Sequence, residues 1–187
     1  HHTSKSLRDY LSDGSSDCRL FDVGTSVAFG ELARGSGLAG DLARLDGRSV
    51  LVHTADQLTA AIALIELDGL ASRLIICPPD LSAGQLAHIA ATAGVDAVVA
   101  APGADCLLPG IDLQIACRST IEPAEHLPPS RRSTEWVMLT SGTTGAPKMV
   151  VHTLAGLTGA IKRSPRPDTS VVWGTFYDLR RYGGLQI

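Results

Sequence analysis

Residues 49–100 read SVLVHTADQLTAAIALIELDGLASRLIICPPDLSAGQLAHIAATAGVDAVVA, and their alternating pattern is the clearest structural signal in the chain. Short apolar runs of the kind that form strands occur at Val50–Val52, Leu74–Cys77 and Ala97–Ala100. The two longer segments between them carry apolar residues at helical spacing. Strand, helix, strand, helix and strand in this order predict a βαβαβ unit with right-handed crossovers. We therefore predict an α/β fold with a mostly parallel sheet flanked by helices.

Each helical segment has a predicted beginning, buried face and end. The predicted buried faces are Leu58, Ala61, Ile62 and Ile65 in a helix that stops near Gly69, and Leu86, Ile89, Ala90 and Ala93 in a helix that stops at Gly94. A hydroxyl followed three residues later by glutamine forms a capping box, which satisfies two free backbone N–H groups. Thr54 with Gln57 and Ser82 with Gln85 match this pattern, so each pair predicts a helix start.

The residues before this unit give weaker signals. His1 and His2 are typical of an expression-tag remnant, and residues 1–24 are predicted to be an N-terminal lead-in to a domain at residues 25–187. Within the first fifty residues, Ser12–Asp17 predicts a turn, because glycine, serine and aspartate favour local hydrogen bonds. The spacing of Leu38, Leu42 and Leu45 predicts a short helix closed by Gly47.

The residues after the unit continue the α/β pattern less regularly. The predictions, in chain order, are a strand at Asp112–Cys117, a surface connection at Ser119–Ser133, a strand at Trp136–Leu139, a helix at Thr153–Arg163, a strand at Val171–Trp173 and a new element at Asp178–Gln186. The chain has 187 residues, which suits one domain or the front part of something larger.

Composition excludes several classes of protein. A net charge of −3 excludes a nucleic-acid binder that works by bulk charge. The longest apolar run, Ala60–Ile65, is too short for a membrane span, and no signal peptide is visible, so we expect a soluble cytoplasmic protein. The four cysteines form no C-x-x-C pair, which favours reduced thiols over a metal site.

The residues with the clearest chemistry follow the predicted strand Trp136–Leu139. They are Thr140, Ser141, Gly142, Thr143, Thr144, Gly145, Ala146, Pro147 and Lys148. The carboxyl ends of strands are where open α/β sheets place their ligands. The two glycines let the backbone approach a ligand closely, and successive N–H groups in such a turn form an anion-binding nest. Four hydroxyls and the charge of Lys148 add to these donors, so the stretch predicts a polyphosphate-binding loop at residues 140–148.

Two other phosphate-binding motifs do not fit. A Walker loop needs G-x-x-x-x-G-K-[ST], whereas two residues separate Gly145 from Lys148 and Met149 follows the lysine. A literal G-x-G-x-x-G occurs at Gly35, Gly37 and Gly40, but no strand is predicted before it and no long helix after it. We interpret that second motif as a glycine-rich bend.

The stretch Val137–Lys148 resembles the AMP-binding signature of the adenylate-forming superfamily, which contains acyl-CoA synthetases, adenylation domains of peptide synthetases and luciferases. Upstream, Val27–Leu32 is similar to an early T-Y-x-E-L segment of this family, and Ser49–Ala100 is similar to its first subdomain. The resemblance implies an enzyme that activates a carboxylic acid with ATP, in the presence of Mg²⁺, and passes the acyl group to CoA. It implies ATP phosphate binding by residues 140–145 and Lys148, with Lys148 as the catalytic candidate.

The chain also departs from the family pattern. Met149 replaces a glycine that often follows the signature lysine, and His152 precedes the position where a Thr-His pair is usual, so we expect His152 to pack locally. The segment Phe176–Asp178 resembles an aromatic motif that lines the acyl pocket, which makes Tyr177 and Asp178 pocket candidates, with a core or capping role as the alternative. Arg180 and Arg181 are expected on a solvated face. No carboxylate near the loop can be nominated as a ligand for Mg²⁺, and no metal ligand is predicted.

The family's adenine contacts and mobile C-terminal domain have no counterpart in these 187 residues, so we expect a truncated ligase that does not form acyl-adenylate alone. Two alternatives stay open: an adenylation domain that loads a carrier protein, and a non-catalytic anion-binding α/β domain. The acid substrate and the oligomeric state are not predicted.

Overall fold

The computed structural model describes residues 5–13, 17–38, 42–104, 108–140, 147–159, 161, 172 and 174–185. Their helices are α1 (Leu7–Asp13), α2 (Phe29–Arg34), α3 (Gln57–Leu67), α4 (Ala83–Ala93), α5 (Leu154–Thr158) and α6 (Tyr182–Leu185), with a 3-10 helix at Leu42–Leu45. The strands are β1 (Arg19–Asp22), β2 (Thr25–Ala28), β3 (Gly35–Leu38), β4 (Ser49–His53), β5 (Arg73–Ile76), β6 (Ala97–Ala100), β7 (Gln114–Pro123), β8 (Glu135–Thr140) and β9 (Lys148–Thr153).

The main sheet has seven strands in the order β3-β7-β6-β4-β5-β8-β9. The pairs β4–β5, β4–β6, β5–β8 and β6–β7 are parallel, whereas β3 and β9 join the two ends of the sheet in antiparallel fashion. The predicted βαβαβ unit is confirmed, with β4 between β5 and β6. The carboxyl ends of β4, β5, β6 and β8 consequently lie along one edge of the sheet.

The sheet buries apolar side chains on both faces, as parallel strands do when helices cover each side. Alternate residues of one strand enter different cores: Val50 and Val52 pack in the cluster that includes Ile62 of α3, whereas Leu51 packs in the cluster that includes Ile89 of α4. Helix α3 is buried around most of its circumference, including the polar Glu66, because it contacts β3, β7 and α1 as well as β4. This extends the single apolar face predicted for that helix.

The helix starts agree with the sequence in one case and differ in the other. Ser82 and Gln85 form the predicted capping box of α4, and Gly94 ends the helix with φ +61°. The predicted box of Thr54 and Gln57 is wrong: Asp56 is the N-cap of α3, and its carboxylate accepts from the Thr59 N–H at 2.7 Å. A carboxylate at this position also interacts favourably with the helix dipole, which explains its use in place of the hydroxyl.

The first fifty residues contain more regular structure than the sequence predicted. Helices α1 and α2, the β1–β2 hairpin and β3 all lie before Leu42. The glycine-rich bend predicted at Gly35 and Gly37 is a strand instead, and these glycines allow close packing against β7. A Cβ added to Gly35 would lie 2.6 Å from the Glu122 carbonyl oxygen, and one added to Gly37 would lie 2.5 Å from that of Arg118. Gly40 lies outside the described residues.

Three predictions after β6 need correction. The strand expected at Asp112–Cys117 begins at Gln114 and runs to Pro123, so it takes up the start of the predicted connection at Ser119–Ser133. Lys148–Thr153 forms β9 because it pairs with β8 along its whole length. The helix expected at Thr153–Arg163 is the short α5, capped by the Thr153 hydroxyl, and Lys162 and Arg163 lie outside the described residues. So do Val171 and Trp173 of the last predicted strand.

Candidate functional site

The predicted phosphate loop lies between the antiparallel strands β8 and β9. Thr140 and Lys148 are register partners in this hairpin, and the Thr140 hydroxyl donates to the Lys148 carbonyl oxygen at 3.4 Å. The loop therefore leaves and re-enters the sheet at the carboxyl end of β8, on the edge where open α/β sheets bind ligands. Ser141, Gly142, Thr143, Thr144 and Gly145 lie outside the described residues.

Lys148 is exposed at the first position of β9. The salt bridges among the described residues do not include it, so no described carboxylate neutralises its ammonium group. An exposed ammonium beside a strand-to-loop junction can attract an anion and contact its oxygens as a point charge. This is the chemistry that the sequence assigned to Lys148.

The two acyl-pocket candidates have different surroundings. The Tyr177 side chain is 66% exposed, and its backbone N–H donates to the Thr175 hydroxyl oxygen at 3.0 Å. Asp178 is engaged by Arg180, whose Nε lies 2.7 Å from Oδ1 and whose Nη2 lies 3.0 Å from Oδ2. Partial burial acts to raise the pKa of Asp178, but the hydrogen bonds and positive charge of Arg180 outweigh it, so the pKa is lowered. Asp178 is therefore an ionised partner for Arg180.

Arg180 is buried, with 5% of its surface exposed, so the expectation that it lies on a solvated face is wrong. Its guanidinium donates to the carbonyl oxygens of Thr54, at 2.6 Å, and Ala55, at 3.1 Å. Both carbonyls belong to the connection between β4 and α3, at the carboxyl edge of the sheet. Arg181 is exposed, as expected, and pairs with Asp80 at 2.9 Å. The spacing Asp178-x-Arg180 was the one sequence signal for the buried pair, since it places two opposite charges within hydrogen-bonding reach.

His53, at the end of β4, is a further polar residue at this edge that the sequence analysis did not single out. Its Nδ1 is buried without a hydrogen-bond partner among the described residues. Burial lowers the pKa of His53, and the charge of Arg180 acts in the same direction, against backbone hydrogen bonds to Cys77 and Pro78. His53 therefore presents an uncharged imidazole beside the Arg180 guanidinium.

His152 connects the loop hairpin to the segment that carries Arg180. Its ring stacks on that of Tyr182, with centroids 5.0 Å apart and planes inclined by 26°. His152 packs, as expected, but its partner lies in a distant segment of the chain and not among its sequence neighbours. Because His152 lies on β9 and Tyr182 begins α6, this stack holds α6 against the strand that follows the phosphate loop.

Among the described residues, no metal cluster lies at this edge, and one cleft lies at the other. Within the described ranges, no group of three or more histidine, cysteine, aspartate or glutamate residues could hold a metal ion. A cleft of about 540 Å³ lies near Leu70 and Arg131, which precede β5 and β8 and so mark the opposite edge of the sheet. The described helices include none that is long and apolar enough to cross a bilayer.

Known protein families and curated sequences give no match to this chain. Solved structures do match it. A malonyl-CoA ligase in a ternary product complex with methylmalonyl-CoA and AMP is 25% identical, with a TM-score of 0.57 over 77% of this chain and 31% of that one. O-succinylbenzoate coenzyme A synthetase from Bacillus subtilis, in complex with AMP, is 15% identical, with a TM-score of 0.63 over 98% of this chain and 52% of that one.

The N-terminal subdomain of NpsA from Klebsiella oxytoca, in complex with 3-hydroxybenzoyl-AMSN, is also similar. It is 17% identical, with a TM-score of 0.57 over 81% of this chain and 41% of that one. In these three comparisons the chain spans between 31% and 52% of the matched structure. The matched enzymes are adenylate-forming, and the matches cover their N-terminal portions. The resemblance predicted from Val137–Lys148 is thus confirmed in the fold: the chain has the N-terminal fold of the adenylate-forming superfamily.

Proposed function

We propose that this chain is the N-terminal part of an ATP-dependent, AMP-forming ligase that activates a carboxylic acid as acyl-adenylate and transfers the acyl group to CoA. The observation that carries the proposal is the position of the residues 140–148 signature, which joins β8 to β9 at the carboxyl edge of a sheet with the fold of adenylate-forming enzymes. The similarity to a malonyl-CoA ligase with a CoA product and AMP bound supports CoA as the acceptor.

In this proposal the loop residues Thr140, Ser141, Gly142, Thr143, Thr144 and Gly145 bind the phosphates of ATP together with Lys148. Attack of the substrate carboxylate on the α-phosphate expels pyrophosphate, so negative charge builds up on the leaving group. A Lys148 ammonium contact to that group stabilises the charge more strongly in the transition state than in bound ATP. The exposed position of Lys148, without a described carboxylate partner, suits this role.

Mg²⁺ is implied by the family, and ATP normally reaches such enzymes as its Mg²⁺ complex. The described residues offer no carboxylate beside Thr140 or Lys148 among their ion pairs and no cluster that could ligate the ion. We therefore assign no residue of this chain to Mg²⁺ and derive no step through it.

Pyrophosphate exchange tests the proposal. A longer protein that contains these 187 residues should exchange labelled pyrophosphate into ATP only when its acid is present. Lys148→Ala should lower the exchange rate by about 100-fold while unfolding stability changes by less than about 0.5 kcal/mol. Arg131→Ala, which removes an exposed cation at the opposite edge of the sheet, is the matched control. Equal exchange rates for Lys148→Ala and its parent would overturn the assignment.

Two further measurements separate the alternatives. The isolated 187-residue chain should show no acid-dependent exchange, and detection of such exchange would refute its dependence on further residues. Thioester formation on CoA would support the proposed acceptor. Thioester formation only on a carrier protein would favour an adenylation domain. If the longer protein shows neither pyrophosphate exchange nor thioester formation, the result would favour a non-catalytic anion-binding domain.

A further inference from the structure

A buried arginine fastens residues 178–181 to the carboxyl edge of the sheet. Arg180 contacts the carbonyl oxygens of Thr54 and Ala55, and the adjacent Leu179 N–H donates to Gln57 Oε1 at 2.9 Å. All these acceptors lie in the connection between β4 and α3 or in the first residue of α3. The contacts join positions more than 120 residues apart in the sequence. They set the position of the whole segment relative to the central strand.

The contacts of Arg180 depend on the shape and charge of its guanidinium group. A guanidinium is planar, permanently charged and has five N–H donors in a fixed arrangement. In Arg180, Nη1 faces the two carbonyls while Nε and Nη2 face the Asp178 carboxylate. A lysine ammonium is a compact point charge and cannot present donors in both directions with the same spacing. We call Arg180, Asp178, Thr54 and Ala55 the Arg180 anchor.

Two exposed aromatic side chains come just before the anchor in the sequence. Phe176 is fully exposed and Tyr177 is 66% exposed. Two large aromatic side chains that are exposed at neighbouring positions are available to contact a ligand or another part of a longer protein. The anchor lies at the edge at which open α/β sheets bind ligands. On the far side of the anchor, the Tyr182–His152 stack reaches the strand that follows the phosphate loop.

We infer that Arg180 is a positioning residue, whose anchor fixes Phe176 and Tyr177 on the acid-binding side of the adenylation site. The inference rests on the proposed function, because an acid-binding side exists only if the longer protein activates an acid. Arg180 itself is covered by the segment and acts through the backbone that it holds. Its loss should therefore weaken the binding of the acid while leaving the binding of ATP nearly unchanged.

Three variants of the longer protein test this inference by pyrophosphate exchange. Arg180→Met removes the hydrogen-bond donors but keeps a long side chain. Arg180→Lys keeps the positive charge but loses the planar arrangement of donors. Arg181→Met is the matched control, because it removes the neighbouring charge, which lies on the surface paired with Asp80. Arg180→Met should raise the KM for the acid by about tenfold or more and change the KM for ATP by less than about twofold. The KM of Arg180→Lys for the acid should lie between those of Arg180→Met and the parent. Arg181→Met should change the KM values for acid and ATP by less than about twofold.

The inference is overturned if Arg180→Met behaves like Arg181→Met, or if the KM values for acid and ATP rise in proportion. If Arg180→Met does not fold, Arg180→Lys gives the same comparison. Amide hydrogen exchange on the 187-residue chain tests the anchor without any assay of activity. Arg180→Lys should speed exchange at residues 175–179, while α4 is unchanged. Unaltered exchange at 175–179 would reject the anchor, whereas a parent enzyme without acid-dependent activity would reject only the proposed function.

Discussion

Trp136 Nε1 donates a hydrogen bond to Asp68 Oδ1 at 3.0 Å, so the buried indole of β8 is fixed by the residue that follows α3. The other carboxylate oxygen of Asp68 accepts from the Leu7 N–H at 2.9 Å, at the first residue of α1. Asp68 is 5% exposed and Trp136 is 1% exposed. One carboxylate thus connects the sheet, α3 and the N-terminal helix inside the protein.

Replacing Asp68 with alanine should lower the free energy of unfolding by about 2–4 kcal/mol, because the buried Trp136 N–H and the partly buried Leu7 N–H lose their partner. Asp68→Asn keeps one acceptor oxygen and should lose less. Urea unfolding followed by tryptophan fluorescence and by circular dichroism measures both. Asp46→Ala, which breaks a half-exposed ion pair with Arg132, is the control and should cost less than about 1 kcal/mol. An equal loss for Asp68→Ala and Asp46→Ala would contradict the structural role of Asp68.

Glu66 should make stability depend on pH. Burial raises the pKa of its carboxyl above the ordinary value of 4.5, despite hydrogen bonds from Ser36 and Gly37 and the charge of Arg8. The folded protein thus binds this proton more tightly than the unfolded chain does. The stability linked to Glu66 is fully present below the unfolded pKa and is lost as the pH rises through the folded pKa.

A pair of variants isolates this effect. Glu66→Gln carries no titrating group, so the difference in unfolding free energy between variant and parent should shift in favour of the variant as the pH rises from about 4 to 7. Glu125→Gln, on the exposed connection before β8, controls for the change in net charge. Denaturant titrations at several pH values measure these differences. A shift in the opposite direction for Glu66→Gln would show that its carboxylate is favoured in the folded state.

Gly37 and Gly84 should respond in opposite ways to alanine. A Cβ at Gly37 would lie 2.5 Å from the Arg118 carbonyl oxygen and 2.9 Å from Ile62 Cγ2, so Gly37→Ala must push β3 away and should cost about 1–3 kcal/mol. A Cβ at Gly84 meets nothing within 4 Å in the first turn of α4, so Gly84→Ala should stabilise by about 0.5–1 kcal/mol. Thermal unfolding compares the two. A stabilised Gly37→Ala would contradict the close approach of β3 and β7.

The start of α3 offers a test of the corrected cap. Asp56→Ala removes the carboxylate that accepts from the Thr59 N–H and should cost about 1–2 kcal/mol. Asp56→Asn keeps an acceptor at the same place and should cost clearly less. Chemical denaturation of the three proteins gives the comparison. The assignment of Asp56 as the cap fails if both variants are as stable as the parent.

The parts of the fold that were predictable are those that local sequence determines. The runs at Val50, Leu74 and Ala97 are apolar throughout, and helices with clear ends separate them, so their pairing in a parallel sheet followed from general rules. The N-terminal elements were not predictable, because distant residues hold them. Arg8, for example, contacts the Leu32 carbonyl oxygen and Glu66. Strand β9 was missed because its pairing with β8 defines it, whereas its own sequence gives no clear alternation.

The residues of the candidate site also differ in how far the sequence predicts them. The prediction of a phosphate-binding loop at residues 140–148 rests on residue types, because hydroxyls, glycines and a lysine together favour anion binding, and it stays a prediction. The burial of Arg180 could not be predicted from the sequence. An arginine on the surface and an arginine that binds two carbonyl oxygens of a distant turn look alike there. The role of His53 depends likewise on the neighbours that folding brings to it.

The pairing of Thr140 with Lys148 has a consequence for variation in this protein. Side chains along a strand alternate between the two faces of a sheet, so a slip of one position in β9 would turn Val150 and His152 to the opposite side. The stack on Tyr182 would then be lost, although every residue of the strand were retained. A one-residue insertion between Lys148 and His152 should thus be far more harmful than most substitutions there, and sequence length in this hairpin is under tighter constraint than residue identity.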